Sequence, residues 1–284
     1  MYPRTFEYVA VGSIEEAVGV LASTPGAKVM SGGMSLIPMM KLRLLSPETV
    51  VDIGRVAGLD TITDRGDHIS IGALVRHVAV ATSPEIGEYA KALQQAASWT
   101  GDPQVRNRGT LCGALAHADL AADTPAAALA LGMTMVAQGP NGTREIAAGD
   151  FFVDSLMSAL SPDEILVEAR IPKRGGGSAY DKLGRRGGHS DYAVAGVASW
   201  VAMSDGTVTD CAIGITGVGT KPTLAVGAME AMRGHGADGI AAAADRALEG
   251  ITVLEDLYGS EAYKAHLAKV YTRRSLEQAV AAAS

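Results

Sequence analysis

Apolar residues recur along this chain at two periods, and the switches between them mark its elements. In "SIEEAVGVLAST", Ile14, Ala17, Val18 and Leu21 lie three and four apart, the spacing of one helical face. Ser13 ahead of them and Glu16 three residues on form a capping-box pattern, so the helix starts after Ser13. Gly26 closes the unit. "AKVMSGG" reads as a short apolar strand running into glycines. "MSLIPMMKLRLLSPETVVDIG" predicts a short helix, a turn at Ser46 and Pro47, and a strand over residues 49–53. Helix, strand, helix and strand in alternation argue for an α/β unit.

The period then shortens. "DTITDRGDHISIGAL" reads as a hairpin turning at residues 64–67. "LVRHVAVATSP" and "GEYAKALQQAASW" return to helical spacing. "TLCGALAHADLAADTPAAALALG" opens on a glycine loop and ends in an alanine-rich helix that Pro125 can start at its first turn. "MTMVAQGPNGTREIAAGDFF" is a second hairpin, turning at residues 139–142, and "DEILVEARIP" a closing strand. "KRGGGS", residues 173–178, is the strongest linker signal. Beyond it, "SAYDKLGRR", "DYAVAGVASWVAMS" and "TVTDCAIGITGVG" read as three strands of an antiparallel meander, the last two joined through "SDG". From Pro222 onward the pattern is helical. Strands followed by helices predict a small α+β unit. No solenoid-type repeat is visible.

Composition narrows the function. The 284 residues suffice for one large domain or two ordinary ones. A content of 48% hydrophobic and 19% charged residues argues for a folded chain, and 5% aromatics for an interior of small aliphatic side chains. With 24 basic and 31 acidic residues, the net charge of −7 argues against nucleic acid as a partner. Arg106 with Arg108, and Arg185 with Arg186, then read as local sites. Two cysteines, Cys112 and Cys211, are too few for an iron–sulfur cluster or a structural zinc. They are expected to be reduced thiols of a cytoplasmic protein. No signal core and no run of about eighteen apolar residues is seen, so no transmembrane segment is expected.

Two glycine loops carry the candidate chemistry. The first, "KVMSGGMSLIP", lies between a strand and a helix. Gly32 and Gly33 permit positive φ and a close approach of backbone to ligand. The amides of Gly33, Met34 and Ser35 would converge at a helix start, a natural anion site. The spacing is neither a dinucleotide fingerprint nor a P-loop, and an ordinary tight turn reads equally well. In the second, "NRGTLCGALAHAD", Gly109 and Gly113 bracket Thr110, Leu111 and Cys112. Asp123 either caps its helix or accepts from ligand hydroxyls. Two anion-ready loops suggest a ligand with two phosphates, which a dinucleotide pyrophosphate fits best. No acid/base set stands out. His117 beside Asp119 has the right residue types, but adjacent loop residues rarely pair, so a cofactor contact is the better reading. His189 lies either at the rim or on an exposed loop. Cys112 lacks the base and lowered pKa of a nucleophile. "MMKLRL" reads as packing plus a partner contact, with Lys41 and Arg43 on its wet side.

"SGGMSLIPMMKLRLLSPETVVDIG" together with "GDPQVRNRGTLCGALAHADLAADTPAAALALG" resembles the FAD-binding medium subunit of molybdenum hydroxylases. This is the group of aerobic carbon monoxide dehydrogenase, nicotine and quinoline oxidoreductases, and the xanthine dehydrogenase flavin domain. The resemblance extends through "DEILVEARIP", "YDKLGRRGGHSDYAVAGVA" and the helical C-terminal part, nearly the whole chain. It implies an α+β fold. A two-lobed FAD-binding domain of the vanillyl-alcohol-oxidase/PCMH type would cover residues 1–175, with lobes of about 1–55 and 56–175. A C-terminal flavoprotein domain, a three-stranded antiparallel sheet with a helical bundle, would cover residues 176–284. It also implies FAD on this chain, with molybdopterin on a large partner subunit and [2Fe-2S] clusters on a small iron–sulfur subunit, assembled as a dimer of heterotrimers. Electrons would reach the FAD from the iron–sulfur subunit and leave to NAD⁺, oxygen or a quinone-linked acceptor. The alternatives are a stand-alone flavin reductase or oxidase of the same broad fold, and a scaffold that has lost its flavin.

Residue by residue, the family's first loop, A-G-G-x-S, matches Ser31, Gly32, Gly33, Met34 and Ser35, with Lys28 before it and Leu36 after it. The second, T-I-G-G-[ND], matches Thr110, Leu111, Cys112, Gly113 and Ala114. His117 reads as a cofactor contact or a support for one, and the resemblance places Asp123 near the ribityl and ribose hydroxyls. Leu166 falls in the strand passing the adenine or flavin, Lys182 is a basic residue near the flavin, and Tyr192 covers one isoalloxazine face. Two departures stand out. Cys112 replaces a glycine, with strain of about 1 kcal/mol or more if φ there is positive. Ala114 lacks the usual Asn or Asp side chain. On this reading, Cys112→Gly keeps or improves FAD binding.

Overall fold

The computed structural model describes residues 2–189 and 191–283. Its first sheet is parallel: β1 (Glu7–Ala10), β2 (Lys28–Met30) and β3 (Thr49–Asp52) stand in the order β1-β3-β2. Helices α1 (Ile14–Ser23) and α2 (Leu36–Leu42) make the crossovers. The start of α1 follows the sequence pattern, with the Glu16 amide donating to Ser13 Oγ at 3.1 Å. The Glu16 carboxylate accepts from Gly12 N at 2.8 Å, one residue earlier than a capping box requires. β1 escapes the sequence reading, since two exposed and two half-buried residues make no apolar run.

The second sheet is a five-stranded antiparallel one. It contains β4 (Ile62–Asp64), β5 (His68–Gly72), β6 (Thr134–Gly139), β7 (Gly142–Ala147) and a strand at Ile165–Pro172. Between β5 and β6 run α3 (His77–Thr82), α4 (Pro84–Tyr89), α5 (Lys91–Trp99), α6 (Pro103–Arg106), α7 (Leu111–His117) and α8 (Asp123–Leu131). After β7 come α9 (Ala148–Phe151) and a small pair, β8 (Phe152–Asp154) with β9 (Met157–Ser158), so the Ile165–Pro172 strand is β10. The order is β4-β5-β10-β6-β7, and both predicted hairpins form at its edges. Each residue of α8 is buried, which accounts for its lack of an amphipathic pattern.

The third sheet corrects the sequence expectation. It has four strands among the described residues: β11 (Gly177–Gly184), β12 (Ala193–Ser204), β13 (Thr207–Thr216) and β14 (Thr223–Leu224), in that order. Thr223 and Leu224, assigned to a helix by pattern, pair with Ile215 and Gly214. The helix, α10 (Val226–Met232), begins after them and is followed by α11 (Ile240–Asp245) and α12 (Glu261–Ala283). Both faces of the sheet are covered. Tyr180, Ala198 and Trp200 join the core built on α5 and α8. Ala179, Val197, Val201 and Ile213 join a second core with Leu267, Leu276 and Ala279 of α12. A strand buried on both faces reads as a continuous apolar run, as β12 does. No helix among the described residues is long and apolar enough to cross a membrane.

Candidate functional site

β2 delivers the chain into the first glycine loop, and α2 leaves it. Gly33 has φ of 72°, the left-handed conformation that glycine adopts without a steric penalty. Gly32 is there for proximity: a Cβ on it would lie 2.3 Å from the Arg108 carbonyl oxygen and 2.7 Å from Gly109 Cα. The two glycine loops, distant in sequence, therefore touch backbone to backbone.

The second loop is held from below. His77 N donates to Gly109 O at 3.0 Å, and Leu111 N to Val75 O at 3.0 Å. Thr110 then caps α7, its Oγ1 accepting from Gly113 N at 3.1 Å. The same Oγ1 lies 2.9 Å from Ser31 Oγ of the first loop. A side chain at Gly113 would strike both hydroxyls, at 2.7 and 2.9 Å. Ser31, Thr110 and Gly113 thus form a floor of hydroxyls and amides shared by the two loops.

Above this floor opens a cavity of about 980 Å³, at the upper end of the range for ligand sites. Of the residues singled out from sequence, Lys28, residues 31–36, Thr110, Cys112, Gly113, Ala114, His117, Asp123, Leu166 and Tyr192 line it. Leu111 and Lys182 do not. Leu111 lies in the core beneath.

Cys112 avoids positive φ, and with it the strain. It occupies the second residue of α7, outside the left-handed region. Its thiol is buried and faces the Ile71 carbonyl, with Sγ–H donating at 3.7 Å. Burial, with the Glu168 charge adding to it, pushes the thiol up to about 12. His117 ends α7, and burial lowers its pKa against the pull of Asp119. Asp119 does not act as its orienter; its carboxylate accepts from Ala121 N at 2.8 Å.

Asp123 begins α8 without capping it. Its carboxylate is buried and accepts from Lys182 Nζ at 2.7 Å on each oxygen and from Tyr180 OH at 2.6 Å. Burial pushes the Asp123 carboxyl up, while the Lys182 ammonium and the Tyr180 hydroxyl oppose it. Lys182 Nζ also donates to Asp191 O at 2.6 Å and Trp99 O at 3.2 Å. It sits behind the cavity wall and ties α5, α8 and the β11–β12 loop together. That loop carries Tyr192. Asp191, at φ 70°, accepts from Tyr192 N at 2.8 Å. Burial raises the Tyr192 phenol, and a hydrogen bond with the Ser35 side chain of the first loop opposes this. The Arg185 guanidinium lies 5.2 Å from the Tyr192 ring and 4.5 Å from that of Tyr258. His189 is stacked on Trp99 at 3.8 Å, with Nε2 3.1 Å from Asp181 Oδ1, and does not line the cavity.

His77, the first residue of α3, is a lining residue that pattern reading missed. One histidine in an apolar helix carries no signal of its own. Burial, with the Arg106 charge adding to it, lowers its pKa to about 4. Among the described residues no group of three or more metal-ligating side chains occurs. The two loops offer hydroxyls and backbone amides, a donor set suited to an anion.

Two family models match the chain. One, described as the FAD binding domain in molybdopterin dehydrogenase, covers residues 4–174; the other, the CO dehydrogenase flavoprotein C-terminal domain, covers residues 178–279. The carbon monoxide dehydrogenase medium chain of Hydrogenophaga pseudoflava is 38% identical over 98% of each chain. The 6-hydroxypseudooxynicotine dehydrogenase complex subunit alpha of Paenarthrobacter nicotinovorans is 37% identical over 99% of this chain and 96% of its own length. Among solved structures, carbon monoxide dehydrogenase from Hydrogenophaga pseudoflava lacking the Mo-pyranopterin moiety superposes with a TM-score of 0.95, at 38% identity and 100% of both chains. Quinoline 2-oxidoreductase from Pseudomonas putida 86 superposes with a TM-score of 0.93, at 32% identity, over 100% of this chain and 99% of its own.

Proposed function

This chain belongs to the FAD-binding medium subunits of the molybdenum hydroxylases, and from that premise we propose that its two-loop cavity seats the FAD of an electron-transfer complex. The family makes it an oxidoreductase flavoprotein subunit of a multi-subunit enzyme, with FAD as its cofactor. The observation that carries the proposed seating is the shared floor of Ser31, Thr110 and Gly113, where Gly32 admits backbone contact between the loops. These residues fit a pyrophosphate: the Ser31–Thr110 pair keeps one hydroxyl hydrogen to donate, the Cys112 amide lies at the start of α7, and Gly113 puts no side chain above the pair. Asp123 is aimed at cofactor hydroxyls. Its oxygens already accept from Lys182 and Tyr180, and each carboxylate oxygen can accept more than one bond. Tyr192 and Leu166 supply apolar surface for the isoalloxazine or adenine ring.

When bound, FAD supplies the redox chemistry, and the protein supplies position and electrostatics. Lys182 holds the charge of Asp123 and the carbonyl of Asp191 in place. Tyr192, fixed by Asp191 and facing Ser35, narrows the cavity against water. In the proposed route, electrons arrive from an iron–sulfur small subunit after substrate oxidation on a molybdopterin large subunit. They leave to NAD⁺, oxygen or a quinone-linked acceptor. Two buried cysteines could hold no cluster here, which supports a partner as the electron source. The proposed assembly is a dimer of heterotrimers in the cytoplasm. The proposed domain division falls near residue 175, in the irregular stretch between β10 and β11. Purified chain should show a flavin visible spectrum, and tagged chain should retain both partner subunits. A chain that takes up no flavin after FAD is added would sink the reading.

A further inference from the structure

His77 is the polar group in the cavity wall that the proposed FAD seating leaves unexplained. It is only 3% exposed, yet Nδ1 is buried without a hydrogen-bond partner among the described residues. Most buried side-chain nitrogens are paired, so such a ring needs a reason. The ring's orientation supplies one. A Cβ built on Gly109 would meet His77 Cδ2 at 3.1 Å and Nε2 at 3.6 Å. The Cδ2–Nε2 edge therefore faces the second glycine loop, one residue from Thr110, while Nδ1 points into the sealed side.

A neutral imidazole carries one N–H and one lone pair, and the surroundings choose between the two tautomers. An N–H on Nδ1 would be a donor sealed away from any acceptor. An N–H on Nε2 puts the donor beside the loop and leaves only a lone pair buried; orphaned acceptors are tolerated better than orphaned donors. Burial and the neighbouring Arg106 guanidinium keep the ring neutral, with a pKa of about 4. Arg106 is itself held by the Thr100 and Gly101 carbonyls at 3.1 and 3.0 Å, and Thr100 and Gly101 line the same cavity.

We propose that His77 is a further FAD-binding residue, donating Nε2–H to an oxygen of the cofactor's pyrophosphate as it crosses the second glycine loop. This rests on the FAD reading above. The Thr110–Ser31 hydroxyl pair and the Cys112 amide would meet the phosphates from one side, and the imidazole from beneath Gly109. The ring acts as a fixed neutral donor, held by its own backbone bond to Gly109 O.

The test uses the full-length chain stripped of flavin and titrated with FAD by fluorescence, as wild type, H77Q, H77N and H77L. A glutamine amide reaches the position of Nε2, whereas an asparagine amide reaches only that of Nδ1. H77Q should bind FAD within about threefold of wild type, and H77N and H77L about tenfold or more weaker. The ³¹P resonances of bound FAD should match between wild type and H77Q and shift in H77N. Should H77L fail to fold, the comparison of H77Q with H77N decides. Equal FAD affinity for H77Q and H77N, or unchanged ³¹P shifts in H77N, would overturn the inference. Wild type that binds no FAD would instead overturn the parent reading, and this inference with it.

Discussion

At Cys112 a buried thiol packs one residue inside the start of α7, so removing it does more than relieve a crowded loop. Cys112→Gly takes a buried methylene and sulfur from the core and adds backbone freedom to a helix. The two effects together cost about 1–2 kcal/mol. Its Tm should fall by about 3–6 °C in a thermal melt, the reverse of what the glycine-pair motif suggests. FAD affinity should change little, because the amides of the loop remain. Both thiols are buried and raised, Cys112 to about 12 and Cys211 to about 11. Ellman's reagent at pH 8 should therefore label neither until the chain is unfolded. His77 gives a pH dependence of definite sign. Above about pH 6.5 it is neutral in both folded and unfolded states and contributes none. Below that the unfolded chain takes up the proton first, because the folded value is about 4. Stability then drops by about 2 kcal/mol between roughly pH 7 and pH 5. Urea unfolding at both pH values should show this loss in wild type and a smaller one in H77Q. At this scale the sequence yields residue types but not directions. The glycine pair was visible as a pair, whereas the helical φ of Cys112 and the sealed Nδ1 of His77 depend on neighbours distant in sequence.

Elements were more legible where a local signal exists. Ser13 and the 3.6 period located α1, and the glycine turns located the β4–β5 and β6–β7 hairpins. β1 and β14 were not legible, because four and two residues carry no period and are stabilised only by their partner strands. The site is a property of element ends: β2 running into α2, and α6 into α7. The sequence made each loop a ligand candidate, but their contact could not be read from it. The 2.9 Å approach of Ser31 to Thr110 spans 79 residues. Gly32 tests that contact. A methyl group 2.3 Å from the Arg108 carbonyl cannot be absorbed by a flexible side chain, so the loops must separate. Gly32→Ala should lower FAD affinity about tenfold or more, some 1.4 kcal/mol, while far-UV circular dichroism stays the same. Unchanged affinity in a flavin titration would mean that the ligand does not use the two loops together.

Across the whole molecule, the cavity is walled by parts of the chain that share no sheet. The first loop leaves the parallel sheet, α7 and Leu166 belong to the five-stranded layer, and Tyr192 comes from the four-stranded sheet. The long apolar run of β12 announced a strand buried on both faces, but not that α8 covers one face and α12 the other. What joins the second and third parts at the cavity is Lys182, whose partners lie 9, 59 and 83 residues away. Its charge is buried and matched by Asp123, so Lys182→Met leaves a carboxylate in the interior with only the Tyr180 hydroxyl. Breaking one side of such a pair costs about 3–5 kcal/mol, so Tm should fall by about 10 °C. The same change frees the Asp191 carbonyl, so Tyr192 should lose its fixed position and FAD should bind more weakly. The double variant D123N/K182M separates these two effects. With the charge gone from both sides, much of the stability should return, giving a coupling of about 1–3 kcal/mol in a double-mutant cycle. FAD binding should not recover, because Asp191 still lacks its anchor and Asp123 its charge. Additive stability losses would mean that Lys182 acts through the Trp99 and Asp191 carbonyls and not through the ion pair. Full recovery of FAD affinity would mean that the β11–β12 loop keeps its place without Lys182.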